Sequence, residues 1–182
     1  FAPNNSLPGY NKPYAKGPAL AQSNSWTVFT WIKSAANSDQ GGTYHLRTLV
    51  ADKESSGNYE LALTAGGWMN FRNSAQDRRF EAPEGAPVDQ WICHVGMWDS
   101  SEKRWRLFLN GKERRGSVDN FITWNPEAGN IATYVAGAQL PSNDDYYMDA
   151  NYMFTGSIST VAIYNRALTH QEIIQNYNIA AE

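Results

Sequence analysis

The sequence predicts an all-β domain of two antiparallel sheets packed face to face, closed by one short C-terminal α-helix. Three observations carry that prediction. Apolar residues recur with period two in short segments, and turns rich in glycine and asparagine separate those segments. Helical spacing occurs once, behind a capping box near the C-terminus. No helix-period stretch lies between the strands, which argues against a parallel sheet built from βαβ units.

Residues 1–22 read as an extended, proline-containing arm, and residues 23–182 as the domain proper. Pro3, Pro8, Pro13 and Pro18 each remove a backbone donor and fix φ, so the arm suits a sheet edge and not a central strand. The period then changes. In the run from Trp26 to Lys33, Trp26, Val28, Thr30 and Ile32 share one face while Phe29 and Trp31 share the other. A strand apolar on both faces is buried between layers. Further strands are predicted at residues 44–51, 59–64, 68–72, 91–98, 105–109, 132–136 and 156–164. Ser55-Ser56-Gly57-Asn58, Ala65-Gly66-Gly67 and Asn110-Gly111 supply turn chemistry, because glycine and asparagine adopt positive φ at little cost. At the C-terminus Thr169 and Glu172 form the capping box. Ile173, Ile174 and Tyr177 continue it as an apolar stripe, placing the helix against an edge of the sandwich.

Composition narrows the function. A chain of 182 residues suits one domain. Its net charge of -3 and pI near 5.6 argue against a nucleic-acid partner, which needs a basic face. No apolar run reaches the roughly 18 residues of a membrane span, so insertion into a bilayer is not expected. Cys93 is the single cysteine, excluding an internal disulfide, and among Trp91, Ile92 and Val95 it reads as an inert buried thiol. His94 reads as a core histidine with its hydrogen bonds met. His45 and His170 form no zinc pattern with it. The start at Phe1 suggests a piece of something larger.

Four segments, in this order and spacing, resemble one known family. Ser25 to Lys33 is similar to the opening strand of laminin-G-like, concanavalin A-like jelly rolls. Gln90-Trp91-Ile92-Cys93-His94-Val95 with Asp99 resembles the family's W-x-x-H-V strand, and Leu107 to Lys112 its hairpin. Phe154 to Leu168 resembles its closing segment, which precedes a short helix. The resemblance implies a jelly-roll sandwich over roughly residues 24–178. It also implies a location outside the cell, at a cell surface or on a virion surface. The fold hosts lectins, adhesion modules, glycan-degrading enzymes and virion proteins, so it does not by itself fix the function. Ser159 stands where relatives often carry an aspartate that helps hold calcium, which weakens the expectation of a calcium site of the family's usual kind.

The segment from Ser142 to Tyr152 is the densest in chemistry. Asn143, Asp144, Asp145, Asp149 and Asn151 offer the oxygen ligands calcium takes, and Tyr146 and Tyr147 offer flat faces for sugar rings. The alternative is a solvated acidic loop with its tyrosines laid back on the sandwich. Trp68, Arg72 and Trp124 join Tyr146 and Tyr147 as candidate ligand contacts, with core or edge cover as the alternative for each tryptophan. Asp52-Lys53-Glu54 with Asn58 reads as a charged strand end. Arg78-Arg79, Arg104, Arg106 and Arg114-Arg115, interleaved with Asp77, Glu81, Glu102 and Glu113, read as mixed-sign solvated faces, the alternative being a polyanion patch.

No paired carboxylates occur at the strand spacing a glycosidase needs, and no nucleophile elbow or phosphate loop is present, so no catalytic residue is assigned. The leading reading is a non-catalytic recognition or adhesion module that binds glycans at its loops or concave face. The second is a structural or decoration domain of a virion or larger surface protein, whose partners are proteins and which oligomerises.

Overall fold

The computed structural model describes residues 15–20, 25–35, 46–52, 60–64, 68–73, 78–85, 87–118, 131–135, 154 and 156–181. They form eleven strands and one helix. A six-stranded antiparallel sheet contains β1 (Ala15–Leu20), β10 (Ile131–Val135), β3 (Leu46–Asp52), β4 (Glu60–Thr64), β5 (Trp68–Asn73) and β6 (Arg78–Gly85), in that order. A five-stranded sheet contains β11 (Gly156–Tyr164), β2 (Trp26–Ser34), β7 (Trp91–Asp99), β8 (Arg104–Leu109) and β9 (Lys112–Val118). The helix α1 spans His170–Ala181.

Register explains why the five-stranded sheet is aromatic. Trp26 pairs with Trp98 and Trp98 with Trp105, which aligns three indoles across β2, β7 and β8. The Trp26 and Trp105 rings meet edge to face at 5.5 Å, and those of Trp98 and Trp105 lie 4.8 Å apart. Aromatic pairs in such arrangements stabilise beyond the area they bury. With Val28, Ile32, Ile92, Leu107 and Leu109 they form the inter-sheet core, which Leu49 and Val50 of β3 join from the opposite sheet.

The other face of the five-stranded sheet is equally apolar. Phe29, Cys93, Val95, Met97 and Phe108 are buried beneath Leu168 and Ile173, with Trp31 and Tyr177 packed alongside. Thus the helix does not sit on the sandwich edge, as its apolar stripe alone suggested; it covers the outer face of this sheet. The two apolar faces of β2 demand that position, since Phe29 and Trp31 would otherwise face water.

Several polar groups pin the cover in place. The Thr27 hydroxyl donates to the Arg166 carbonyl at 2.9 Å and accepts from the Leu168 amide at 3.1 Å. The capping box forms as the sequence indicates: the Glu172 amide donates to Thr169 Oγ1 at 3.2 Å, and the Thr169 amide to Glu172 Oε2 at 2.8 Å. Arg166 adds a two-pronged pair to Glu172. These bonds, led by Arg166, hold the Glu172 carboxyl down at about 2. The Asn110-Gly111 turn has both residues at positive φ, 49° and 73°, the requirement of a type I′ hairpin.

A bulge resolves an apparent conflict in β11. Ile158 pairs with Ile32 and Val161 with Thr30, on one face of the sheet, although the two residues are an odd number apart. The register shifts at Ser159, and that extra residue restores the alternation so that Ile158, Val161 and Ile163 all pack on the inter-sheet core.

Candidate ligand-binding face

Alternation sorts the six-stranded sheet into two unlike faces. Val50 belongs to the buried core. Its cross-strand partners are Val135 and Leu61, Leu61 pairs with Phe71, and Phe71 with Phe80. That row is apolar throughout. One residue along, on the face turned away from the core, Lys16 aligns with Tyr134, Ala51, Glu60, Arg72 and Arg79, in strand order across the whole sheet. The next row on the same face contains Ala62, Asn70 and Glu81. Trp68 follows two residues further along β5, about 13 Å from Arg72 at the usual rise per strand residue. By register, this face collects positions of cationic, acidic, amide and aromatic residue types, in contrast with the apolar row of Val50.

Of the residues singled out from sequence, Trp68 and Arg72 therefore share one face of β5, four residues apart. Trp124, Tyr146, Tyr147 and the calcium candidates Asn143, Asp144, Asp145, Asp149 and Asn151 lie outside the described residues, as does His45. Asp52 ends β3, whereas residues 53–58 are outside the description. Tyr134, Glu60 and Asn70, which register places on the same face, were not among the sequence candidates, and Arg79 was named only within a possible polyanion patch. Their signal is the period-two polar set of β4, β5, β6 and β10, visible only once the register aligns it.

The remaining groups with distinctive chemistry sit elsewhere. Cys93 is fully buried and burial pushes its thiol up to about 12, so it has no nucleophilic character. His94 is in the core as expected, but its hydrogen bonds are not met: neither ring nitrogen has a partner among the described residues. Burial pulls its pKa down to about 3. His170 reaches the Gly111 carbonyl at 3.0 Å and stacks on Phe108, locking the helix to the hairpin. Arg106 bridges Glu102 and Glu113, bearing out the mixed-sign reading of that stretch. Trp91, at the start of β7, leaves 44% of its surface exposed. Among the described residues no group of three or more potential metal ligands comes together, and no helix is long and apolar enough to cross a membrane.

Comparisons with known proteins agree with this architecture. The carbohydrate-binding module CBM40 of the Ruminococcus gnavus IT-sialidase, solved with α2,3-sialyllactose, superposes with a TM-score of 0.65 at 16% identity. The match covers 86% of this chain and 84% of that one. The heptameric SAP-like pentraxin of Limulus polyphemus gives a TM-score of 0.64 at 13% identity, covering 93% of this chain and 76% of that one. The leech intramolecular trans-sialidase gives 0.63 at 18% identity, over 87% of this chain but 24% of that one. At such identities these likenesses speak for the fold alone. No curated protein sequence matches the chain. A sequence model described as the concanavalin A-like lectin/glucanases superfamily matches residues 9–174, so the chain belongs to that family, its fold a two-sheet jelly roll.

Proposed function

We propose that this domain is a non-catalytic carbohydrate-binding module working outside the cell, and that its ligand lies across the outward face of the six-stranded sheet. The observation that carries the reading is the aligned row from Lys16 to Arg79 with Tyr134 in it and Trp68 beside it. Residues of those types give a sugar what it needs: hydrogen-bonding groups for its hydroxyls and an aromatic plane for its apolar face. Solved carbohydrate-binding structures of the same fold support it. Tyr146 and Tyr147 are proposed as further ligand contacts.

Affinity per site is expected to be modest. One or two stacked rings, offset by the cost of association, give millimolar to micromolar binding, and parent proteins overcome this by presenting several modules. A glycan array followed by calorimetry tests the reading. Binding that weakens on Trp68→Ala is the expected result, and titrations with and without calcium test the acidic loop as a metal site. An array silent for every glycan, with and without calcium, removes the proposal.

A further inference from the structure

We propose that Trp91, with Lys33 and Ser157 beside it, forms a second sugar-binding platform at the uncovered end of the five-stranded sheet, on the face that carries the helix. It rests on the glycan reading above for its class of ligand, and it lies on the other sheet of the sandwich. Alternation along β7 puts Trp91 on the same face as Cys93, Val95 and Met97, which are buried beneath Leu168 and Ile173. Trp91 instead leaves nearly half its surface open. The cause is where its neighbours end. β8 stops at Leu109, opposite His94, and Asn110 bonds back to Cys93, so no described strand flanks Trp91 on that side. The helix covers the row next to it: the Tyr177 ring lies 5.5 Å from that of Trp31, whose cross-strand partner is Cys93.

The row of Trp91 has the chemistry of a contact for a polyol. Trp91 pairs with Lys33, and Lys33 with Ser157, so the three residues align on one face. Ser157 is exposed and Lys33 half-buried. Among the described residues, no hydrogen bond, ion pair or ring contact engages any of these three side chains. By contrast, the rings of Trp26, Trp31, Trp98 and Trp105 each meet another aromatic. An open indole gives a pyranose the flat apolar surface its C–H face needs. The ammonium offers donors only and the hydroxyl can donate or accept, so the substituents best met are acceptors: ring oxygens, an acetamido carbonyl or a carboxylate. A protein partner fits less well. Val88, Ile174 and Ile179 are the other large apolar side chains left open among the described residues, and all are aliphatic. Lysine, moreover, is depleted from the cores of protein interfaces. One ring framed by two polar side chains matches a single sugar unit.

Proton–nitrogen correlation spectra of the whole chain test the inference. The probes are chitohexaose, cellohexaose and α2,3-sialyllactose, each titrated to about 10 mM, because one stacked ring gives binding in the millimolar range. Trp91→Phe identifies the Trp91 indole N–H signal by its loss. That signal is expected to shift with at least one probe. For that probe, the affinity read from the Lys33 and Ser157 amide signals should fall about tenfold in Trp91→Ala, and that read from the Trp91 indole about threefold in Lys33→Gln. A second measurement guards against misfolding. With its ring open and unengaged, Trp91→Ala should keep the wild-type thermal midpoint to within about 5 °C; a larger fall makes Trp91 a packing residue and overturns the platform. A probe that binds while the Trp91 signal stays still, or that Trp91→Ala holds at wild-type affinity, overturns the platform and leaves the glycan reading standing. No response to any probe overturns the platform too, and a silent array removes the glycan reading with it.

Discussion

The five-stranded sheet is apolar on both faces, one against the opposing sheet and one beneath the helix. The six-stranded sheet aligns Val50, Leu61, Phe71 and Phe80 in one row and Ala51, Glu60, Arg72 and Arg79 in the row that alternates with it. Both sheets are antiparallel, so the difference lies in the residue types that each face carries. Where a second layer covers a sheet, every inward and outward position is constrained by packing, and stability accumulates there. In the six-stranded sheet, alternation places polar and charged residue types at every second position, away from the row of Val50. The comparison teaches that two antiparallel sheets of one fold can differ in whether polar residues enter the alternation.

Substitutions that break this division rank by what they disturb. The largest effect is expected from Gly156→Ala, at the start of β11. Its φ is +152°, and an added Cβ would sit 2.2 Å from the Lys33 carbonyl oxygen, a backbone atom that has no room to move aside. A loss of about 3 kcal/mol or more is predicted in urea denaturation; near-wild-type stability would show that the closing strand is more loosely held than its register implies. Ile173→Ala opens the buried helix interface and should cost about 2–4 kcal/mol, the range for a core truncation. If it cost less than 1 kcal/mol, the helix would be decoration and the claim of a two-sided sheet would fail.

His94 allows a test by pH. Its folded pKa lies near 3, below its ordinary 6.5, so the unfolded chain takes up a proton over the window between those values and the folded chain does not. Stability is therefore complete above pH 6.5 and declines as pH falls toward 3, by about 1 kcal/mol per unit in mid-window from this residue. His94→Leu should flatten that decline, and identical slopes for the two proteins would rule the histidine out as its cause. Thr169→Ala, which removes the cap, is expected to cost about 1 kcal/mol. Smallest of all, Asn70→Ser in the six-stranded sheet should change stability by less than about 0.5 kcal/mol.

What the sequence made legible follows the same division. The strands that were anticipated, β2, β3, β4, β5, β7, β8, β10 and β11, agree with the structure to within about two residues at each end, within the ordinary scatter of boundary assignment. The strands that escaped are β1, β6 and β9, and all three are sheet edges. Edges are protected by charge and proline, which dilute the period-two signal. Pro18 lies in β1, Arg78, Arg79 and Pro83 in β6, and Arg114 and Arg115 in β9. The arm was thus rightly kept out of the sheet interior, but its last residues form an edge strand paired to β10. The proposed ligand face was legible only in part for a related reason. Trp68 and Arg72 lie on one strand and were found together, whereas Glu60 and Arg79 become neighbours of Arg72 through pairings that no local pattern encodes. Helix placement was likewise hidden, because an apolar stripe reveals that a helix is covered and not by what.

The Thr27 hydroxyl ties down the Leu168 amide, a residue 141 positions later in the chain. The same early strand, β2, must also wait for β11 to complete its ladder. During synthesis, then, β2 emerges with an aromatic face that has no lasting partner on one side until β11, about 120 residues later, has been made. Such separations slow the search for the native arrangement, and an exposed Trp-Thr-Val-Phe-Thr-Trp run invites mispairing in the interval. Folding of the five-stranded sheet is thereby tied to the arrival of β11 and of the segment that carries Leu168.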